Sequence, residues 1–126
     1  LRHKYNRPAI TYDVSFDVSD EEKERVCRKM FREHPEVDGI FADNDTNASL
    51  IIRVGKEFNR HVPDDLKVVG YDGASITRML SPELTTIRQP IPEMATKAVE
   101  LLLKLIDGED AKSATLPVKL ISSVTA

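Results

Sequence analysis

Tryptophan is absent from this 126-residue sequence, cysteine occurs once, and aromatic residues make up only 6% of it. A single cysteine, Cys27, excludes an internal disulfide and fits a reducing cytosol, so the expected compartment is cytoplasmic. Cys27 sits among Val26, Met30 and Phe31 in a helical pattern. It reads as a buried structural cysteine rather than a thiol nucleophile. No apolar run reaches the roughly 18 residues of a membrane span, so no membrane partner is expected. The opening LRHKYNRPAI lacks the apolar core of a signal peptide. Lys/Arg-rich runs are missing and the net charge is −3, which makes this chain alone a poor nucleic-acid binder. His3, His34 and His61 are scattered without zinc spacing. The glycine and late glutamate of a calcium loop are missing after Asp43. No glycine-rich loop opens a helix for phosphate, and no serine sits in a nucleophile elbow. The expectation is therefore no catalytic residue, no metal and no cofactor.

What remains is a chain with 31% charged and 40% hydrophobic residues, enough for one domain with a real core. Ala9 to Phe16 (AITYDVSF) alternates as a strand does. Ser19-Asp20-Glu21-Glu22 is a capping box that opens a helix whose apolar face is Val26, Cys27, Met30 and Phe31. Asp38 to Ala42 predicts the second strand. Ala48, Ile51, Ile52, Gly55 and Phe58 recur at helical spacing in a helix that begins near Asn44. Val62 to Asp65 is a turn, Leu66 to Tyr71 a third strand, Ile76 to Leu80 one short helical turn, and Leu84 to Arg88 is extended. Pro92 fits the first turn of the strongest helix, which is expected to bury Met94, Ala95, Ala98, Val99, Leu101, Leu102, Leu105 and Ile106 on one broad face and to end at Gly108. Thr115 to Ile121 is a last strand, placed at an edge or a crossing between layers by Pro117. The alternation predicts an α/β fold with a mainly parallel sheet and helices on both faces.

Open α/β sheets bind ligands beyond the carboxyl ends of their strands. That rule selects Asp17, Asn44, Asp45, Asp72 and Gln89, all of which carry amides or carboxylates. Such groups suit a polyhydroxylated ligand, because they meet several hydroxyls at fixed angles. Plainer readings stand beside this one. Asp43 or Asn44 serves equally as a helix N-cap, Asp72-Gly73 as a turn, and Gln89 as a solvated loop residue.

The run from Asp38 to Val118 carries further motifs. "DGIFADND" followed by Ala48, "VPDDLKVVGYD", "SPELTTIRQP" and "AVELLLKLIDGE" stand in the order used by the lactose-repressor (LacI) family of bacterial transcription regulators, which this chain resembles. "FADND" with "VVGYDG" is most similar to the sucrose-operon branch of that family. The resemblance implies a fold like that of periplasmic sugar-binding proteins, two α/β subdomains with the effector between them. It implies that this chain is roughly the last third of such a regulator, without the helix-turn-helix, the hinge and most of the N-terminal subdomain. By resemblance, residues 1–90 are a partial C-terminal subdomain of the effector-binding domain, 91–116 a crossover helix of the N-terminal subdomain, and 117–126 a return strand.

The same resemblance carries over three effector contacts. The Asn of the family's "ND" motif matches Asn44, the Asp of its "GYD" motif matches Asp72, and the Gln of its "TTI-basic-Q" motif matches Gln89. Asp45 is expected to cap the helix or support the pocket, and Asp17 to support the pocket. The implied partners are a small effector, a sugar or sugar phosphate, and a second copy of the chain. Dimer contacts are expected on the helix from Ala48 to Phe58 and on Ile76 to Ser81. Operator DNA would be reached only through a region outside this chain. The competing function is a transport sugar-binding protein of the same fold. Two departures from the family pattern are Ser122-Ser123, where an Arg is common, and Ser49-Leu50, where Leu-Gly is common.

Overall fold

The computed structural model describes residues 9–15 and 17–126. Among them the strands form one sheet in the order β1 (Gly39–Phe41), β2 (Lys67–Asp72), β3 (Thr85–Arg88) and β4 (Lys119–Ile121). The first three run parallel, and β4 pairs antiparallel with β3. Helix α1 (Asp20–Glu33) precedes β1, α2 (Asp45–Glu57) joins β1 to β2, and a 3-10 helix (Ser75–Met79) joins β2 to β3. Helix α3 (Ile91–Ile106) lies between β3 and β4. The fold is thus α/β with a mainly parallel sheet. Its three parallel strands put their carboxyl ends on one side.

The core forms where α2 meets β2. Ala48, Ile51, Ile52 and Val54 of α2 pack with Leu66, Val68 and Leu84, and Phe31 of α1 closes the cluster. Phe31 also stacks on Phe58 with ring centroids 5.4 Å apart. Cys27 is partly buried and packs against this cluster, and burial pushes its thiol pKa up. That fits a structural cysteine. Outside the core, Arg28 of α1 bridges Glu24 and Glu57, and Arg53 of α2 also reaches Glu24. The Arg53 and Arg28 guanidinium groups hold the Glu24 carboxyl below its usual range.

The elements depart from the sequence reading at four places. Ala9 to Ser15 forms no strand, and Phe16 lies outside the described residues. Alternation alone does not make a strand without an edge to pair with. Tyr12 instead reaches the end of α1, where its hydroxyl donates to Glu33 at 2.6 Å and its ring meets His34 edge-on. The capping box at Ser19 is half formed. Ser19 Oγ accepts from Glu22 N–H at 3.3 Å, but the Glu22 carboxylate takes the Arg25 guanidinium, a charged donor, at 2.6 and 2.9 Å. The last strand is shorter than expected and leaves Pro117, which has no N–H to offer, outside the ladder.

The fourth departure is the largest. α3 has the expected amphipathic pattern, yet none of its residues is buried. Leu102, Leu105 and Ile106 are 55–69% exposed. The apolar face is present, but the described residues do not bury it.

The C-terminal tail, by contrast, is locked in place. Thr125 is fully buried. Its Oγ1 donates to Val68 O at 2.7 Å and accepts from Thr85 N–H at 2.8 Å, and its carbonyl accepts from Val68 N–H at 2.9 Å. The Thr85 hydroxyl in turn accepts from Ser123 N–H and donates to Ala126 O. Ser123, one of the departures from the family pattern, therefore takes part in the lock through its backbone.

Candidate functional site

The turn after β1 starts α2 with its own side chains. Asn44 is the N-cap, and its Oδ1 accepts from Asn47 N–H at 2.7 Å. The Asn47 side chain donates back to Asp43 Oδ1 at 2.7 Å. A capping side chain satisfies one of the donors that a helix start leaves free. The cap uses the oxygen of Asn44 and not its Nδ2. The positive end of the α2 dipole faces the same region.

The carboxyl ends of β2 and β3 meet directly. Asp72 is in register with Arg88, one residue before Gln89. Gln89 Nε2 donates to Asp72 Oδ1 at 2.6 Å, and Gln89 N–H donates to Asp72 O at 3.2 Å. Both side chains are half-buried. Asp72 has a φ of 111°. Such a backbone costs of order 1–3 kcal/mol in a non-glycine residue and persists only where the surroundings hold it. Gly73 follows with φ 73°, and a Cβ there would meet Arg88 Cβ at 2.7 Å, so this turn admits only glycine.

Asp45 lies beneath these loops, 1% exposed. An ionised carboxylate is costly to bury unless its oxygens are bonded. Here both are: Thr86 Oγ1 donates to Oδ1 at 2.5 Å, and Ala74 N–H donates to Oδ2 at 2.7 Å. Gly70 of β2 makes the approach possible, because a Cβ at that position would overlap Asp45 Oδ1 and lie 3.0 Å from Leu84.

Asn44, Asp72 and Gln89 thus end three neighbouring strands, β1, β2 and β3. Asp72 and Gln89 touch, and Asp45 ties the Asn44 turn to the turn after Asp72. Asp17 is not brought into this group. It is exposed, follows a segment that forms no strand, and accepts from Ser15, which lowers its carboxyl pKa. No hydrogen bond links it to the other three among the described residues. Thr86, Asn47 and Gly70 were not singled out in the sequence. A glycine inside an otherwise branched strand, "KVVGYD", was the available signal for a close approach. Two grooves of about 370 and 350 Å³ lie elsewhere, one by Arg60, His61 and Pro82 and one between α3 and Leu116. No group of three or more His, Cys, Asp or Glu side chains able to hold a metal occurs among the described residues. No helix among them is long and apolar enough to cross a membrane.

Comparison with known proteins agrees with the topology. The periplasmic binding protein-like domain family matches residues 2–122. The ribose operon repressor of Halalkalibacterium halodurans is 36% identical over 110 residues, which are 86% of this chain and 33% of that protein. The sucrose operon repressor of Pediococcus pentosaceus is 38% identical over 118 residues, 91% of this chain and 36% of that protein. Among solved structures, the lac repressor dimer bound to operator and the anti-inducer ONPF superposes with a TM-score of 0.76 at 30% identity, covering 85% of this chain and 33% of that one. The chain spans about a third of the length of these relatives. It belongs to the periplasmic binding protein-like domain family, in the form that makes up the effector-binding region of lactose-repressor-family regulators.

Proposed function

We propose that this chain carries one wall of the effector site of a sugar-responsive transcriptional repressor. The observation that supports it most is the joined pair Asp72–Gln89, at adjacent strand ends beside the Asn44 cap. Together these groups offer carboxylate and amide oxygens as acceptors and amide N–H groups as donors. That mixture suits neighbouring hydroxyls of a sugar or sugar phosphate. The reaction is binding only. Effector binding shifts the balance between two states of the regulator, and no bond is broken. The protein acts in the cytoplasm, where its operator is.

The opposite wall comes from the rest of the regulator. The exposed apolar face of α3 supports this division. In this reading residues 91–116 pack in the N-terminal subdomain, while 1–90 and 117–126 form the C-terminal one. The pairing of β4 with β3 and the Thr125 lock support the return of 117–126. A homodimer uses α2 and the segment from Ile76 to Ser81. Ile76 and Met79, 40% and 84% exposed on a short helix, support that surface. Operator DNA is bound by a region outside this chain. A transport protein of the same fold is the alternative, and the relatives described above, operon repressors in both cases, favour the regulator.

The test is a calorimetric titration of the intact regulator with ribose, sucrose and their phosphates, followed by operator binding with and without the sugar that binds. One of these ligands is expected to bind and to change operator affinity. Failure of all to bind, with operator affinity unmoved, would overturn the reading.

A further inference from the structure

The turn after β2 is held in a shape that its backbone does not favour. Asp72 and Gly73 both have positive φ. The two residues that follow Asp72 are each pinned by a side chain below. Ala74 N–H donates to Asp45 Oδ2 at 2.7 Å. Gly73 N–H donates to Thr86 Oγ1 at 3.3 Å, and the Thr86 hydroxyl in turn donates a hydrogen bond to Asp45 Oδ1 at 2.5 Å. Both pins end on one carboxylate. From the other side, Gln89 holds the Asp72 carbonyl and carboxylate.

We propose that Asp45 is a positioning residue for the strand-end site: without contacting a ligand, it holds the turn after Asp72 so that the Asp72 carboxylate meets Gln89. This deepens the effector-site reading and rests on it for the meaning of the site, though not for the geometry. Release of Ala74 and Gly73 frees Asp72 to relax to negative φ, where most residues are stable. That rotation swings its carboxylate away from Gln89. Because Asp45 directly follows the Asn44 cap, the same carboxylate also sets the start of α2 against the other two strand ends. Ala74 is the N-cap residue of the 3-10 helix, so the exposed Ile76 and Met79 ride on the segment that Asp45 holds.

The experiment is NMR spectroscopy on the intact regulator without any sugar. Ala74→Pro keeps the backbone angle, because φ at Ala74 is already −63° and proline requires about −65°, and it breaks the pin by putting a ring carbon where the N–H met Asp45 Oδ2. Thr86→Val removes the relay at nearly constant volume, and Thr86→Ser restores it. In Ala74→Pro and Thr86→Val the Gln89 side-chain amide signals are expected to move to the positions of a free amide. The Val54 and Ala48 amide signals should stay in place, and Thr86→Ser should match the unsubstituted chain. Wild-type Gln89 signals in both variants, with only a lower Tm, would overturn the proposal and leave Asp45 a stability residue. A second measurement needs no variant. In the unsubstituted chain the Ala74 and Gln89 backbone amides should exchange with solvent at the same protection, since they open together. Exchange of Ala74 faster than Gln89 by about tenfold or more would show that the pin opens without disturbing the pair, and would also overturn it. Neither readout involves a sugar, so a failed sugar titration would overturn the ligand reading and leave this one to be decided separately.

Discussion

Gly70→Ala is expected to destabilise the chain by about 3 kcal/mol, near the upper end for an extra methyl group forced into a packed site. The added Cβ would overlap Asp45 Oδ1, sit 3.0 Å from Leu84 Cδ2, and come within 3.3 Å of the Asp45 backbone. Leu84 can shift its side chain. The Asp45 carboxylate cannot move without breaking its bonds to Thr86 and Ala74, and its backbone belongs to the first turn of α2. The helix would have to lift from the sheet. Gly39→Ala is the control, because nothing lies within 4 Å of a Cβ there. Its effect should stay within about 0.5 kcal/mol. Urea unfolding of both variants checks the contrast.

Thr125→Val should cost about 2–3 kcal/mol, although the two side chains have nearly the same shape. The loss is the hydroxyl. Thr85 N–H loses its acceptor at 2.8 Å and the Val68 carbonyl loses a donor at 2.7 Å, both in a buried place. A buried donor left without a partner costs about 1–3 kcal/mol, more than the bond itself contributed. Thr125→Ser keeps the hydroxyl and should cost about 1 kcal/mol for the lost methyl group. Thermal unfolding that ranks Val above Ser in damage supports the lock. The reverse ranking would mean that packing, and not the two hydrogen bonds, holds the tail.

The parts of this fold that could be read from residues are those set by local rules. Branched runs ending in Asp-Gly or Asn-Asp gave β1 and β2, and the Ala48–Phe58 spacing gave α2. Asn44 stood out because its residue type suits both a cap and a ligand. The strand-end rule selects Asn44, Asp45, Asp72 and Gln89, which the fold groups together, and also Asp17, which it does not. Other features were hidden because they depend on distant partners. Ala9 to Ser15 has strand alternation but no pairing edge. The apolar pattern of α3 predicts a buried face, and a pattern alone does not show that its residues stay unburied among the described residues. Thr125 meets Thr85 across 40 residues and Asp45 meets Thr86 across 41, and no local pattern signals either.

The measurement that tests the proposed site most directly is effector affinity in the intact regulator carrying Asp72→Asn. An amide offers only one acceptor oxygen where the carboxylate offers two, and one of those oxygens already serves Gln89. Calorimetry with the sugar that binds the unsubstituted protein should show affinity weakened roughly fivefold to a hundredfold, with Tm nearly unchanged. Unchanged affinity in both Asp72→Asn and Asn44→Ala, with a lower Tm, would contradict the account and leave these residues a turn and a cap.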